Sequence, residues 1–409
     1  MKEEDKIHVI LLSVYFPPIL SVASNRMIAF AKYLDKDKFN VSVVALYSDG
    51  SENIELPENI KVYYVKNSQF FKLATFKVHS PYFIHKLKAL WNKIIISLNI
   101  HEYSSWQKGA SKKLREIIKP NSRTVVLSSF PVEAPLDIAL NIKKEFPEIK
   151  IIADLRDALS TNPFVNEQIR NRYDNLEKRV LQSADIVTTV SEPIIDDLKI
   201  KSTNCKIIFS EIRNGFDFLP GSINKANEIF TIAYAGTFYA DRNPTHFFNA
   251  LINLIETKQI DAPIVNFLGV SGGIIIPKAL KEIVNCFERV EYEQIIPVLK
   301  TSDALLLIQP GNGFKGLFSG KLFDYLGAMK PIIAAIDKTD VAAALIKDCN
   351  AGFVASFNDE KEIADAILSA YKLWKNKECL KFNEELILEH HRSKQVQKLN
   401  QLILSLFHE

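Results

Sequence analysis

The sequence has little cysteine, and its cysteines show no paired spacing. The four residues Cys205, Cys286, Cys349 and Cys379 are scattered, without a Cys-x-x-Cys pair. Such spacing provides neither a zinc site nor a disulfide framework, and it fits a reducing compartment. We therefore expect no metal site and a cytoplasmic location.

Long hydrophobic runs are also missing, because no eighteen-residue apolar window occurs in the 409 residues. A membrane-spanning helix needs about twenty apolar residues. The run IHVILLSVYF behind the charged MKEEDK is too short to span a bilayer, and no small-residue cleavage site follows it. We interpret this run as a buried first strand, in a protein that does not span the membrane.

Neither positive nor negative charge predominates in the sequence. The net charge is +3, with 47% hydrophobic and 24% charged residues. This balance is typical of a globular protein and disfavours a dedicated nucleic-acid binder. A chain of 409 residues is too long for one ordinary core and fits two domains.

Glycine is rare in the first half. Only Gly50 and Gly109 precede residue 215, and the other twelve glycines lie between 215 and 352. A dinucleotide site at the end of the first strand would need Gly-x-Gly-x-x-Gly, so an NAD or FAD site is disfavoured there. The second half should make the closest backbone approach to a ligand.

What the chain does have is a series of short apolar runs separated by helix-length segments. This rhythm predicts an α/β fold with two doubly wound, Rossmann-like parallel sheets, whose ligand sites lie at the carboxyl ends of the strands. The Pro220-Gly221 linker places the domains at 1–219 and 228–392. The predicted strands are HVILLSV, VSVVAL, KVYYV, TVVLSS, KIIADL, DIVTTV, CKIIF, FTIAYAG, APIVNFLG, SDALLLI and KPIIAAI.

The most informative stretch is 309–336, which holds four glycines in a loop and then a short helix with Lys321 and Asp324. The helix N-terminus and Lys321 would bind an anion, and Asp324, one turn later, could accept hydrogen bonds from a ribose. Alternatively, the glycines form only a turn and the two charges form a solvated pair.

The string KLFDYLGAMKPII, preceded by TSDALLLIQP, resembles the donor-site segment of family-4 glycosyltransferases of the GT-B fold, in particular those of bacterial surface polysaccharides. The resemblance implies two Rossmann-like domains facing a central cleft, with the terminal helix 393–409 packing back on the first. Asp324 stands where the family has its ribose-binding glutamate. Gly316 stands where the family has a second glutamate, so the usual carboxylate contact to the donor sugar is absent.

Other donor-side positions follow from the same resemblance. In YAGTFYADRNP, Thr237 replaces the arginine that usually follows the glycine Gly236, and Arg242 becomes the candidate for a diphosphate clamp. Gly269, Gly272 and Gly273 would admit the base or ribose, or would form a plain loop. The expected donor-binding set is Gly236, Thr237, Arg242, Gly269, Gly316, Lys321, Leu322 and Asp324.

Two strand ends of the first domain resemble the acceptor side of the family. The loop YFPPILSVASNR offers Pro18, Ser24, Asn25 and Arg26, although Asn25 and Arg26 could merely open a helix. The segment IIADLRDALSTNPF places three charges at a strand end, and structural ion pairing is the alternative to catalysis. The expected catalytic set is Asp154, Arg156, Asp157, Arg242 and Lys321.

Residues 66–119 mix lysines with aromatic residues and carry only two acidic residues. This composition fits an anionic membrane surface at the inner face of the plasma membrane. The alternative is a helical insertion whose aromatic residues fill the core.

The resemblance implies a retaining, metal-independent hexosyltransferase. Its donor would be a nucleoside diphosphate sugar, with a uridine diphosphate sugar expected. Its acceptor would be a polysaccharide or a lipid-linked oligosaccharide in capsule, O-antigen or exopolysaccharide biosynthesis. Two alternatives stay open: a nucleotide-sugar epimerase of the same shape, and a non-catalytic nucleotide-sugar binding protein.

Overall fold

The computed structural model describes most of the chain, namely residues 6–19, 21–51, 56–57, 59–68, 102–162, 165–223, 227–238, 242–270, 274–288, 290–311, 313 and 315–407. The contacts divide the chain into two compact units. The first comprises Met1–Thr189, Ile195–Ile212 and Val396–Glu409, and the second comprises Val190–Ile194 and Arg213–Gln395.

The first unit contains a sheet of seven parallel strands. The strands are β1 (Ile7–Ser13), β2 (Phe39–Leu46), β3 (Ile60–Val65), β4 (Thr124–Ser129), β5 (Lys150–Leu155), β6 (Ile186–Thr189) and β7 (Ile208–Glu211). Their spatial order, β3-β2-β1-β4-β5-β6-β7, reverses direction between β1 and β4. The central strands β1 and β4 are almost wholly buried, as expected of a parallel sheet covered on both faces.

Helices alternate with these strands. They are α1 (Val22–Tyr33), α2 (Ser104–Ile117), α3 (Glu133–Glu145), α4 (Glu167–Ser183) and α5 (Glu192–Lys201). Side chains cap two of them, since Ser21 accepts from the backbone N–H of Ser24 and Asn166 from that of Ile169. Such caps satisfy N–H groups that lack a partner within the helix.

The second unit contains six parallel strands. They are β8 (Thr231–Ala235), β9 (Ile264–Leu268), β10 (Val284–Phe287), β11 (Ala304–Gln309), β12 (Ile332–Ile336) and β13 (Gly352–Ser356). Their order, β10-β9-β8-β11-β12-β13, again reverses direction between two central strands, here β8 and β11. This order is that of the doubly wound nucleotide-binding fold.

Helices cover both faces of this sheet. They are α6 (Thr245–Glu256), α7 (Tyr292–Thr301), α8 (Gly320–Ala328), α9 (Val341–Asp348), α10 (Glu360–Asn376) and α11 (Glu384–Glu389). The last helix, α12 (Arg392–Ser405), lies mostly in the first unit. Successive residues of β11 face opposite cores: Leu306 and Ile308 belong to one apolar cluster. Leu305 and Leu307 belong to the other, together with Leu322 of α8. This alternation follows from the two-residue period of a strand.

The predicted α/β class with two doubly wound parallel sheets is confirmed. The sequence patterns miss β10 and β13, which are the two edge strands of the second sheet. Three of the four residues of β10 are exposed, and only one of the five residues of β13 is buried. Edge strands with so little burial lack the continuous apolar run on which the prediction depends.

Part of the basic and aromatic segment 66–119 is visible as α2. Its residues Trp106, Ala110 and Leu114 are buried, one turn apart, and Trp106 is 0% exposed. Residues 69–101, which hold most of the aromatic residues of this segment, lie outside the described part of the chain. Among the described helices, none has the length and apolar character that crossing a bilayer demands.

The chain enters the second unit at Arg213, before the predicted linker at 219–228. Phe216 is fully buried in a core of that unit, because the ring lies among residues of α8 and β12. The chain returns to the first unit at Val396. There Val396, Leu399 and Ile403 are buried in the same cluster as the residues of β1 and β2.

Candidate functional site

The second sheet offers a ligand site at the point where its strand order reverses. Strands β8 and β11 are paired, and the chain leaves them toward opposite edges of the sheet. Ligands of open parallel sheets bind in the crevice outside the carboxyl ends of two such strands. Here those ends are Ala235 and Gln309, and the loop after Gln309 leads into the N-terminus of α8.

Gly236 and Lys321 meet in this crevice. Gly236 has a φ of +114°, a backbone conformation that favours glycine. A Cβ atom at this position would lie 2.3 Å from Cε and 2.8 Å from Nζ of Lys321. The absence of a side chain therefore makes room for the lysine to lie across the first strand-to-helix turn of the unit.

The ammonium group of Lys321 has aromatic and cationic neighbours. Its Nζ donates a hydrogen bond to the hydroxyl of Tyr234 at 3.0 Å and lies 4.6 Å from the centre of that ring. Burial, followed by the positive charge of Arg242, lowers the pKa of Lys321 to about 7. Two cations that disfavour each other's charge would be stabilised by an anion bound beside them.

The N-terminus of α8 adds to the positive potential. Ser319 occupies the N-cap position, but its side chain makes no capping hydrogen bond. The N–H groups of the first turn are therefore not all satisfied within the helix, and the positive end of the helix dipole lies at the carboxyl edge of the sheet. A phosphate group fits such a position.

The loop before α8 is fixed at Gly316. Its N–H donates to Oδ1 of Asp340 at 2.7 Å, and its carbonyl accepts from the hydroxyl of Ser191 at 2.7 Å. Its φ is +93°, and a Cβ atom there would lie 2.6 Å from Oγ of Ser191. The backbone thus leaves no space for the glutamate that the resemblance would place at this position.

Asp324 is partly exposed on α8, one turn after Lys321. The hydroxyl of Tyr292 in α7 donates to its Oδ1 at 2.7 Å. Burial raises the pKa of Asp324 to about 6, while the Tyr292 hydrogen bond and the charge of Arg392 act in the opposite sense. Tyr292 thereby fixes the orientation of the carboxylate that we expect to meet the ribose.

The other predicted donor residues occupy different environments. Leu322 is fully buried in the core under α8, and its N–H donates to the carbonyl of Ser319. Thr237 is exposed, and its carbonyl accepts from the hydroxyl of Tyr234. A Cβ atom at Gly269 would lie 3.8 Å from Cα of Gly236, so these two turns are adjacent. Gly272 and Gly273 lie outside the described residues.

In the first unit, Arg26 and Asp154 form a buried ion pair. Nε and Nη2 of Arg26 donate to the two carboxylate oxygens at 2.9 and 2.7 Å, with side-chain exposures of 3% and 0%. The hydroxyls of Ser129 and Thr188 also donate hydrogen bonds to the carboxylate of Asp154, each at 2.8 Å. Burial opposes ionisation, but Arg26 and the two hydroxyls outweigh it and hold the pKa of Asp154 below its ordinary value. The structure joins these two residues to each other and leaves Asp154 no exposed surface.

Arg156 and Asp157 follow Asp154 at the same strand end and are more accessible. Nε of Arg156 donates to Asp157 at 3.1 Å, and the two side chains are 16% and 34% exposed. The charge of Asp157 also contributes to raising the pKa of Tyr173, after burial and Glu133. Of the three predicted charges at this strand end, Arg156 and Asp157 are therefore the two that a ligand could reach.

The loop after β1 contains the remaining predicted residues. Pro18 and Asn25 are partly exposed, whereas Ser24 is buried and its N–H donates to the Ser21 hydroxyl. Ser24 and Asn25 lie in the first turn of α1, and Arg26 follows in the same helix, which agrees with the alternative that Asn25 and Arg26 open a helix.

The structure thus brings together Gly236, Lys321, Gly269 and, through its charge, Arg242. The sequence interpretation missed Tyr234 and Tyr292, the two hydroxyl groups that hold Lys321 and Asp324. A tyrosine at the end of a strand and one at the start of a helix carry no pattern that would distinguish them from core residues.

Comparisons with known proteins agree with this fold. No protein-family model and no curated protein sequence matches the chain. Solved structures do match: a glycosyltransferase from Rickettsia africae ESF-5 has a TM-score of 0.57 at 12% identity, covering 99% of this chain and 100% of that one. The chain has the GT-B fold.

Two further structures support this assignment. A UDP-forming trehalose-phosphate synthase from Burkholderia vietnamiensis has a TM-score of 0.61 at 9% identity, covering 98% of each chain. The lipopolysaccharide outer core galactosyltransferase WaaB has a TM-score of 0.58 at 11% identity, covering 98% of this chain and 100% of that one. At these identities the likeness concerns the GT-B fold alone.

Proposed function

We propose that this chain is a glycosyltransferase that moves a sugar from a nucleoside diphosphate sugar to a polysaccharide or lipid-linked oligosaccharide. The observation that carries the proposal is the crevice at β8 and β11, where Lys321, the charge of Arg242 and the N-terminus of α8 converge. These groups suit a diphosphate. The proposal gains support from the GT-B fold, which the chain shares with solved glycosyltransferases.

The proposed chemistry follows from this charge distribution. When the bond between the sugar carbon and the diphosphate oxygen breaks, negative charge grows on the leaving diphosphate. Lys321, Arg242 and the N–H groups of α8 would stabilise that charge more strongly in the transition state than in the bound donor. One well-placed donor of this kind contributes about 3 kcal/mol. Because the protein itself supplies the positive charge, we propose a metal-independent reaction.

For the nucleotide, we propose that Asp324 binds the ribose in the orientation that Tyr292 sets. A uridine diphosphate sugar is the proposed donor. Among the proteins that share the fold, one synthase is described as UDP-forming and another structure is a complex with UDP-L-rhamnose. Family-4 membership and retention at the anomeric carbon belong to the proposal through the sequence resemblance around Lys321.

For the acceptor, we propose that the accessible pair Arg156 and Asp157 meets the acceptor or the transferred sugar. Arg26 and Asp154 would instead act as positioning residues, because their buried pair fixes the strand end from which Arg156 and Asp157 project. A role in capsule, O-antigen or exopolysaccharide biosynthesis, at the inner face of the plasma membrane, completes the proposal.

A panel of nucleotide sugars would test this function. The protein is incubated with uridine, guanosine and thymidine diphosphate sugars, with and without saccharide acceptors, and products are resolved by chromatography. Release of a nucleoside diphosphate with a lengthened acceptor is the expected result. Conversion of the donor into its epimer would indicate an epimerase, and binding without turnover would indicate a non-catalytic binding protein. A Lys321→Met variant is the control, since it removes the proposed diphosphate charge.

A further inference from the structure

One buried polar atom at the carboxyl end of β11 has no role in the proposed diphosphate site. Gln309 is the last residue of β11 and is 6% exposed. Its Nε2 donates to the carbonyl of Leu317 at 3.0 Å. Its Oε1 is buried and has no hydrogen-bond partner within the described residues. Leaving a buried acceptor unpaired is costly, so this oxygen calls for a partner that a ligand could supply.

The position of Gln309 in the strand shows which side it faces. Leu305 and Leu307 pack in the core beneath α8, and the two-residue period of β11 puts Gln309 on the same face. The bond to Leu317 then holds its amide under the loop that leads into Ser319 and α8. The unpaired oxygen therefore belongs to the crevice at the N-terminus of that helix.

The chemistry of an amide oxygen limits what it can bind. It accepts hydrogen bonds and cannot donate them, so it pairs with a hydroxyl and not with an ionised phosphate oxygen. In a nucleotide sugar, hydroxyl groups adjoin the diphosphate on the side of the sugar. The ribose hydroxyls lie at the opposite end, where Asp324 is expected to meet them.

The backbone at Gly316 strengthens the argument. The loop has no space for a side chain there, because a Cβ atom would lie 2.6 Å from Oγ of Ser191. The sequence already shows that Gly316 stands where the resembling family has a glutamate, and only backbone is present there. Gln309, at the end of the strand that leads into this loop, supplies a hydrogen-bond acceptor, and this acceptor is neutral.

We propose that Gln309 is a specificity-determining residue whose Oε1 accepts a hydrogen bond from a hydroxyl of the donor sugar. This inference rests on the proposed function, and it names the group that would recognise the sugar rather than the nucleotide. Because Nε2 is held by Leu317, the amide has a fixed orientation, and the sugar hydroxyl must approach from the opposite side.

Calorimetry with UDP, UDP-glucose and UDP-galactose as probes tests the proposal. Gln309→Met keeps the size of the side chain and removes the acceptor. We expect it to weaken the better-bound nucleotide sugar about tenfold, as loss of one hydrogen bond implies, and to leave UDP affinity unchanged. Gln395→Met is the matched control, because Gln395 is a buried glutamine of the same unit with both ends of its amide paired.

A second measurement uses the wild-type protein and so does not depend on the folding of the variant. Donors lacking one sugar hydroxyl at a time should show one position whose loss weakens wild-type binding about tenfold. The same analogue should bind Gln309→Met as the parent donor does. Equal losses for UDP and nucleotide sugars, or no loss for either, would overturn the proposal and make Gln309 a structural support of the loop. Failure of the wild-type protein to bind UDP or any nucleotide sugar would instead refute the proposed function itself.

Discussion

Replacing Gly236 by alanine is the sharpest test of the diphosphate site. The new Cβ atom would lie 2.3 Å from Cε of Lys321, which is closer than such atoms approach. Because these are the outer atoms of a flexible side chain, the lysine should swing away and the fold should persist. Lys321 would then lose its hydrogen bond to Tyr234 and its place in the crevice.

The substitution has two separable effects. At a φ of +114°, alanine strains the backbone by about 1–3 kcal/mol, which lowers the free energy of unfolding. Gly221 has a φ of +115° and no heavy atom within 4 Å of the position that a Cβ atom would occupy. Gly221→Ala therefore measures the strain alone. Only Gly236→Ala should also weaken UDP binding. Loss of one charged hydrogen bond costs about 1.5–3 kcal/mol, which corresponds to a roughly tenfold to hundredfold loss of affinity.

The measurements are urea unfolding and calorimetric titration with UDP on both variants. We expect similar losses of unfolding free energy and a loss of UDP affinity in Gly236→Ala alone. If Gly236→Ala binds UDP as the wild type does, Lys321 is not a phosphate ligand. If Gly221→Ala weakens binding equally, the effect is general destabilisation and the reasoning fails.

Three further predictions concern other charges. The pKa of Lys321 is lowered to about 7, so the side chain loses its charge above that pH in the free protein. Because a bound diphosphate favours the charged form, UDP binding should take up a proton and should weaken as the pH rises. Calorimetry in buffers of different ionisation enthalpy would detect the proton, and Lys321→Arg should abolish the uptake. Tyr292→Phe should weaken UDP binding by roughly 1 kcal/mol, because the carboxylate of Asp324 loses the hydrogen bond that orients it. Tyr371→Phe, which breaks a Tyr–Asp hydrogen bond of the same length, should leave UDP binding unchanged. Asp154→Asn removes the charge partner of the buried Arg26, whose Nη2 still donates to the carbonyl of Ile212, and should lower the unfolding free energy by about 3–5 kcal/mol. A small loss would refute the assignment of a stabilising buried ion pair. Asp174→Asn, which breaks an exposed pair, should cost below about 1 kcal/mol in the same urea titration.

The fold was predictable because the buried strands of a parallel sheet have a recognisable sequence pattern. Strands buried on both faces are mainly apolar, so most of the central strands contain a short continuous apolar run that is recognisable in the sequence. The edge strands β10 and β13 lack that requirement and were missed. Their assignment needs the neighbouring strand, which only the folded chain provides.

The crevice at β8 and β11 was partly predictable, because Gly236 follows a predicted strand and Lys321 begins a helix after a glycine-rich loop. Their contact was not, since it joins a turn and a helix far apart in the sequence. The pairing of Arg26 with Asp154 crosses 128 residues, and a sequence shows only a charge at each of two element ends. Whether such charges face a ligand or each other depends on the packing of β5, β6 and α1, which no local pattern records.

The way the chain returns to its first unit affects how the protein can be made. Val396, Leu399 and Ile403 fill the same core as β1 and β2, yet they are synthesised after the whole second unit. On the ribosome, part of the apolar surface of the first unit therefore stays uncovered until the second unit has been synthesised. Domains usually fold in the order of their synthesis, and exposed apolar surface on a waiting intermediate favours aggregation. All residues of the second unit are thus available before the last residues of the first core, although the first strands of that core are translated earliest.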